Sequence, residues 1–230
     1  MTRLEQTIGC RFRKKNLLRA ALMHPSCQTW QEPVASAESF QRLEFLGDSV
    51  LNYFIAKKLY ALFPEANEGL LSRLRSILVS RKLLARVAYT IRLEKSLLLG
   101  EREQNQPPAL REKIMADAFE ALIAAIYFDR GQKAVEQFLL KYFKPYFNQK
   151  KLFQFDPNPK STLQEYTQKK FGGLPLYVVR HEKKRNQFKA WVSIKKKTKA
   201  QGIGRTKQEA ESQAAAALLR KLKIRKGISF

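Results

Sequence analysis

The chain has 230 residues, 44% of them hydrophobic, and a formal net charge of +24. That is enough apolar material for one substantial core and a smaller second domain, and too much for a disordered chain of this charge. No run approaches the roughly 18 uncharged apolar residues of a membrane span, and "MTRLEQTIGCRFRKK" lacks the apolar core of a signal peptide, so the sequence reads as soluble, cytoplasmic and free of membrane contact.

Taken in chain order, the first two thirds read as helix. "NLLRAALM", "RLEFLGDSVLNYFIAKKLYALF", "GLLSRLRSILVSRKLLARVAYTI" and "LREKIMADAFEALIAAIYFDRG" all repeat apolar residues at spacings of three and four. Pro64 ends the second of these and Gly131 the last. The stretch "YFKPYFNQKKLFQFDPNP" then combines three prolines with Asn, Gln and Lys, which marks a joint near Lys150. Beyond it "STLQEYTQKKFG" reads as a helix with a Ser or Thr cap and a closing glycine. "LPLYVVRH", "QFKAWVSIKK" and "TKAQGIGRT" alternate as three strands, and "KQEAESQAAAALLRKL" is a closing helix. The predicted architecture is an all-α domain over 1–148, a linker over 149–158 and a small α-β-β-β-α unit of the α+β class over 159–226.

Charge divides the same way. Residues 1–150 hold 24 Lys/Arg and 15 Asp/Glu, a net of +9, whereas residues 151–230 hold 20 and 5, a net of +15 in about half the length. Such density is the footprint of a polyanion partner, nucleic acid rather than a membrane surface. Cys10 and Cys27 lack the spacing of a disulfide framework or a zinc site and read as reduced thiols.

Against this background four acids stand out. Glu44 and Asp48 lie one turn apart on one face of an apolar helix, beside a second stripe of Leu43, Leu46, Val50 and Phe54. Asp117 and Glu120 lie three apart on another, among Ile114, Ala121, Ala124 and Phe128, with alanines that let a second helix approach. Buried carboxylates cost several kcal/mol unless paired with cations or a metal. One such pair would fit a surface site or a partner such as Arg42. Two pairs in two apolar helices of a basic chain point to a divalent cation held by oxygen alone, Mg²⁺ with Mn²⁺ as an alternative.

These segments carry a family resemblance. "RLEFLGDSVL" resembles the signature of the ribonuclease III endonucleases and "MADAFEALIAA" their second acidic motif, while "LLRAALMHPS" and "NEGLLSRLRSILVS" resemble the helices before and after the signature. The tail from "STLQEY" to "AAAALLRKL" resembles a double-stranded RNA-binding domain. The resemblance implies a homodimeric, Mg²⁺-dependent endonuclease that cuts double-stranded RNA to 5′-phosphate and 3′-hydroxyl ends and matures ribosomal RNA precursors and some messengers. It assigns metal ligation to Glu44, Asp48, Asp117 and Glu120, catalysis to Asp48 and Glu120, and support at the cleavage site to Glu68. The apolar surplus in Leu46, Val50, Phe54 and Leu74 is compatible with the implied dimer interface. His24 is assigned to capping or packing.

In the second domain the resemblance places Thr162, Gln164 and Glu165 at a minor groove and Lys207 at phosphates across the major groove, where the helix dipole assists. Three departures from the family pattern are visible: Gln41 leads the signature where an acid is usual, prolines occupy "GEREQNQPPALREK", and the loop "RHEKKRNQF" carries Lys184 where a histidine is usual. Lys183, Lys184 and Arg185 are expected to supply phosphate contacts there. A non-catalytic RNA-binding relative is the other reading, distinguished from the enzyme by the four acids. A DNA-directed protein fits the charge but not the tail.

Overall fold

The computed structural model describes residues 1–27, 39–147, 158–182, 185–195 and 198–222. The chain divides into two compact units, Met1–Phe155 and Asp156–Phe230.

The first unit is helical: α1 (Arg3–Ile8), α2 (Lys15–Leu22), α3 (Phe40–Leu62), α4 (Glu68–Leu78), α5 (Arg81–Thr90), α6 (Glu101–Gln104) and α7 (Pro108–Phe143). Its centre is α7. From Ile114 to Ile126 every residue except Asp117 and Glu120 is buried, because α2, α3 and α5 all pack on this helix. Leu43, Leu51, Phe54, Ile55 and Leu59 of α3 and Leu83, Leu84 and Val87 of α5 complete the core with Phe119. Truncating a fully buried ring such as Phe119 to alanine would cost about 3–5 kcal/mol.

Two breaks differ from the periodicity reading. The stretch 69–91 is two helices, because Ser80 takes extended backbone (φ −65°, ψ 139°) and turns α4 into α5. Apolar spacing continues across this turn, so periodicity alone does not reveal it. Gly131, at φ +78°, does interrupt α7, but helix resumes to Phe143 and buries Val135, Phe138, Leu139 and Phe143. The joint therefore begins later than Tyr142. The predicted linker lies mostly outside the described residues.

Two acids not singled out in the sequence fasten the N-terminus. The buried Glu5 accepts the Phe12 N–H at 2.8 Å and the Thr2 N–H at 2.7 Å, and pairs with Lys15 at 2.5 Å. Burial alone would raise its pKa, but Lys15 and the two N–H donors outweigh that and hold it at about 2. Asp129 accepts the N–H groups of Arg13 (2.9 Å) and Lys14 (2.7 Å), tying the loop before α2 to α7.

The second unit contains α8 (Pro159–Phe171), an antiparallel sheet in the order β1 (Leu176–Glu182), β2 (Gln187–Ile194), β3 (Thr198–Gly204), and α9 (Lys207–Lys221). Val178 opposes Trp191, which opposes Gln201. The cap of α8 is Asn158, which accepts the Ser161 N–H at 3.3 Å, rather than Ser161 or Thr162. Leu163, Ala190, Val192, Ile194, Ala210, Ala214, Ala215 and Leu218 form its core. A Cβ on Gly202 would stand 2.2 Å from the Ala214 nitrogen, so glycine on β3 and alanine on α9 together set a close strand-to-helix contact.

In the first unit the same device sits between α3 and α7. A Cβ on Gly47 would stand 1.8 Å from the Glu120 carbonyl oxygen. Gly47→Ala is expected to force these helices apart and destabilise the protein by about 1–3 kcal/mol in thermal or urea denaturation.

Candidate functional site

The approach of Gly47 to Glu120 fixes what the two helices present to each other. Glu44, a turn before Gly47, meets Asp117 and Glu120 from α7, and each of the three offers a carboxylate oxygen within 4.8 Å of the others. All three are partly buried. Asp48 departs from the expectation: it is exposed, because the face of α3 beyond Gly47 turns to solvent, and it stands outside this three-acid group. It remains close enough to act on both Glu44 and Glu120.

Proximity of like charges in a partly desolvated place shows in the acids themselves. Burial and then Asp48, Asp117 and Glu44 push the Glu120 carboxyl up to about 8, with Arg81 opposing. Glu44 is raised by burial, Asp117 and Asp48, with Lys113 opposing. Lys113 pairs with Asp117 at 3.2 Å across one helical turn. Among the described residues Arg42 pairs with none of the acids.

Three carboxylate oxygens gathered this way would suit a hard divalent cation, and among the described residues neither thiolate nor imidazole joins them. His24 lies at the end of α2, with Nδ1 2.8 Å from Ser26 Oγ and its ring edge-on to Phe40. Burial lowers its pKa.

Other expected residues fall elsewhere. Glu68 is exposed at the start of α4, accepts the Ser72 hydroxyl at 2.7 Å and does not join the acid group. The interface expectation needs correction: Phe54 and Leu74 are buried in the core, and Leu46 and Val50 pack against it. The face of α3 left open carries Phe45 (77% exposed), Tyr53 (57%) and Tyr60 (75%) instead. In the second unit Gln164, Glu165 and Lys207 are exposed, Lys207 in the first turn of α9. Thr162 is not available to a groove: it is 4% exposed and its hydroxyl donates to the Asn158 carbonyl at 3.1 Å, as expected of a threonine in a first helical turn. Lys183 and Lys184 lie outside the described residues.

A family model described as ribonuclease-III-like matches residues 14–146, more than half of the chain. The chain belongs to the ribonuclease III family. A second model, the double-stranded RNA binding motif, matches residues 159–222. Ribonuclease 3 of Leptospira interrogans is 34% identical over 226 residues, spanning 97% of this chain and 91% of that protein. Ribonuclease 3 of Buchnera aphidicola subsp. Baizongia pistaciae is 38% identical over 226 residues, 96% of each. The nuclease domain of ribonuclease III from Campylobacter jejuni matches with a TM-score of 0.56 at 34% identity, covering 63% of this chain and 96% of that one, and that structure is described for flexibility in a region involved in dimer formation.

In this ribonuclease III, the reading of the sequence missed Gly47, Lys113 and Arg81. Lys113 was open to discovery, since a cation four residues before Asp117 on a helix is a pairing signal. Gly47 and Arg81 were not, because their meaning depends on which residue of another helix they meet.

The raised Glu120 pKa has a consequence for stability. Between the ordinary 4.5 and about 8 the folded state holds a proton that the unfolded state has lost, so stability falls as pH rises through that window. Glu120→Gln removes the titrating group. With chelator present, the melting temperature of Glu120→Gln minus that of the wild type is expected to grow between about pH 5 and about pH 8, and added Mg²⁺ to narrow the gap by stabilising only the wild type strongly.

Proposed function

We propose that this protein is a divalent-metal-dependent endoribonuclease that cleaves double-stranded RNA to 5′-phosphate and 3′-hydroxyl ends. Its substrates in this reading are ribosomal RNA precursors and some messengers, its ion is Mg²⁺, and it works in the cytoplasm as a homodimer. The observation that carries the reading is the meeting of Glu44, Asp117 and Glu120 across the α3–α7 contact in a chain of this family. Among the described residues no helix is long and apolar enough to cross a membrane.

A bound divalent cation would neutralise charge at the scissile phosphate and lower the pKa of an attacking water. Glu44, Asp117 and Glu120 would hold it, with Asp48 at the solvent edge. Burial and crowding raise the Glu120 carboxyl to about 8 in the metal-free cluster, so binding of a cation there would be favoured by rising pH. Lys113 pairs with Asp117 at the edge of the cluster. Asp48 and Glu120 are the two acids assigned to the hydrolytic step, and Glu68 supports the cleavage site from α4.

The second unit holds the duplex. Gln164 and Glu165 on α8 face a minor groove, and Lys207, with the N-terminus of α9 behind it, takes backbone phosphates. Lys183 and Lys184, which follow β1 in sequence, would add phosphate contacts and make affinity strongly salt-dependent.

Pairing of two copies fits the open aromatic face of α3. A monomer seldom leaves three large aromatics of one helix so exposed.

Incubation with a long RNA duplex tests the activity. Wild type is expected to cut it with Mg²⁺ and not with chelator, and Glu120→Ala to lose at least about 10²-fold in rate while still retarding the duplex in a gel. Tight binding without cutting under any divalent ion would leave an RNA-binding relative. A Phe45→Glu, Tyr60→Glu double variant is expected to sediment as a monomer where the wild type sediments as a dimer. Unchanged mass would place the dimer contact elsewhere.

A further inference from the structure

Asp48 and Asn52 stand one turn apart on α3. The Asn52 amide nitrogen donates to Asp48 Oδ1 at 2.8 Å and to the Asp48 main-chain carbonyl at 3.0 Å. Both contacts of this amide nitrogen go to one residue, one to the carboxylate and the other to the backbone it hangs from. That grip fixes the carboxylate relative to its own helix. Asp48 Oδ2 has no hydrogen-bond or ion-pair partner among the described residues.

Of the four acids, Asp48 is the one in need of such a grip. Glu44, Asp117 and Glu120 are held by the packing of α3 on α7, and Asp117 is also paired with Lys113. Asp48 is exposed, so nothing packed around it selects a rotamer, and an untethered surface aspartate would give up side-chain freedom each time it took a ligand. A neighbour that already restricts the side chain reduces that cost, which is the usual role of groups hydrogen-bonded to metal-ligating side chains.

We propose that Asn52 is a positioning residue for the metal site: it ties Asp48 Oδ1 and leaves Oδ2 as the carboxylate oxygen available to the divalent cation. This rests on the assignment of Asp48 as a metal ligand. Asn52 touches neither the cation nor the RNA in this account and acts through Asp48 alone.

A structural role would leave a different trace. Asparagine is a poorer helix former than alanine, so at a mid-helix position Asn52→Ala should leave the metal-free melting temperature unchanged or raised. The decisive measurement is Mn²⁺ binding to the full-length, RNA-free protein, followed by the electron paramagnetic resonance of free Mn²⁺, for wild type, Asn52→Ala, Asn52→Leu, Asn52→Gln and Asp48→Ala. Asn52→Ala and Asn52→Leu are expected to weaken Mn²⁺ binding by about 10-fold or more. The Mg²⁺ needed for half-maximal cleavage of duplex RNA should rise by a similar factor, with a smaller change in rate at saturating Mg²⁺. Asn52→Gln, which keeps an amide donor, should recover part of the affinity.

Wild-type affinity in Asn52→Ala together with weakened binding in Asp48→Ala would overturn the proposal and leave the metal site standing. Equal loss in the Ala and Gln variants, or a loss matched by a fall in the metal-free melting temperature, would also overturn it. Wild-type affinity in Asp48→Ala would instead remove Asp48 from the ligand set, and the assignment beneath the proposal with it.

Discussion

The first unit depends on one close approach, that of Gly47 on α3 to the backbone of Glu120 on α7. Helices with ordinary side chains between them keep their axes about 8–10 Å apart. Glycine at the crossing removes the spacer, and the alanines of α7 do the same around it. Because Glu44 is three residues from Gly47, and Asp117 three residues from Glu120, the crossing point also decides which acids meet. The burial of both helices and the convergence of charge follow from the same contact.

That convergence works against the metal-free fold. Bringing carboxylates together in a partly desolvated place disfavours their ionised forms, and Glu120, the one raised to about 8, takes most of the strain. Lys113 and Arg81 relieve part of it from the edges. The protein tolerates the remainder because α7 is buried from Ile114 to Ile126 apart from the two acids, so the local cost is set against an extensive apolar core. A site with this balance favours a multivalent cation over a proton as pH rises, which is what a hydrolytic centre near neutral pH requires.

The second unit uses glycine and alanine for a different end. Gly202 and Gly204 on β3 lie against Ala210 and Ala214 on α9, so a sheet of three strands and two helices closes over a core of few large side chains. The economy of that core frees the outer positions of α8 and α9 for polar and cationic residues. Recognition of a duplex by shape and phosphates needs such positions on a firm scaffold rather than a pocket.

Most elements were legible in the sequence, because apolar spacing reports which face of a helix or strand is buried. The three strands and the closing helix come within a few residues of their expected bounds, and the acid pairs identified themselves by being out of place in apolar helices. The turn at Ser80 and the helix after Gly131 escaped notice, since a short break does not interrupt the apolar rhythm and a glycine stop does not forbid a new start. Thr162 carries a residue type suited to RNA, yet its hydroxyl is spent within its own helix. Leu46, Val50, Phe54 and Leu74 were apolar enough for an interface, but residue type does not tell an interior face from an exterior one. By itself the sequence determined the helical and mixed units, the basic character of the second, and the four acids, all properties of local pattern and composition. Only the tertiary structure decided that three acids meet while Asp48 stays at the edge, tethered by Asn52, and that Phe45, Tyr53 and Tyr60 face outward. Those outcomes depend on where two helices cross, and a crossing is set by contacts between residues far apart in the chain.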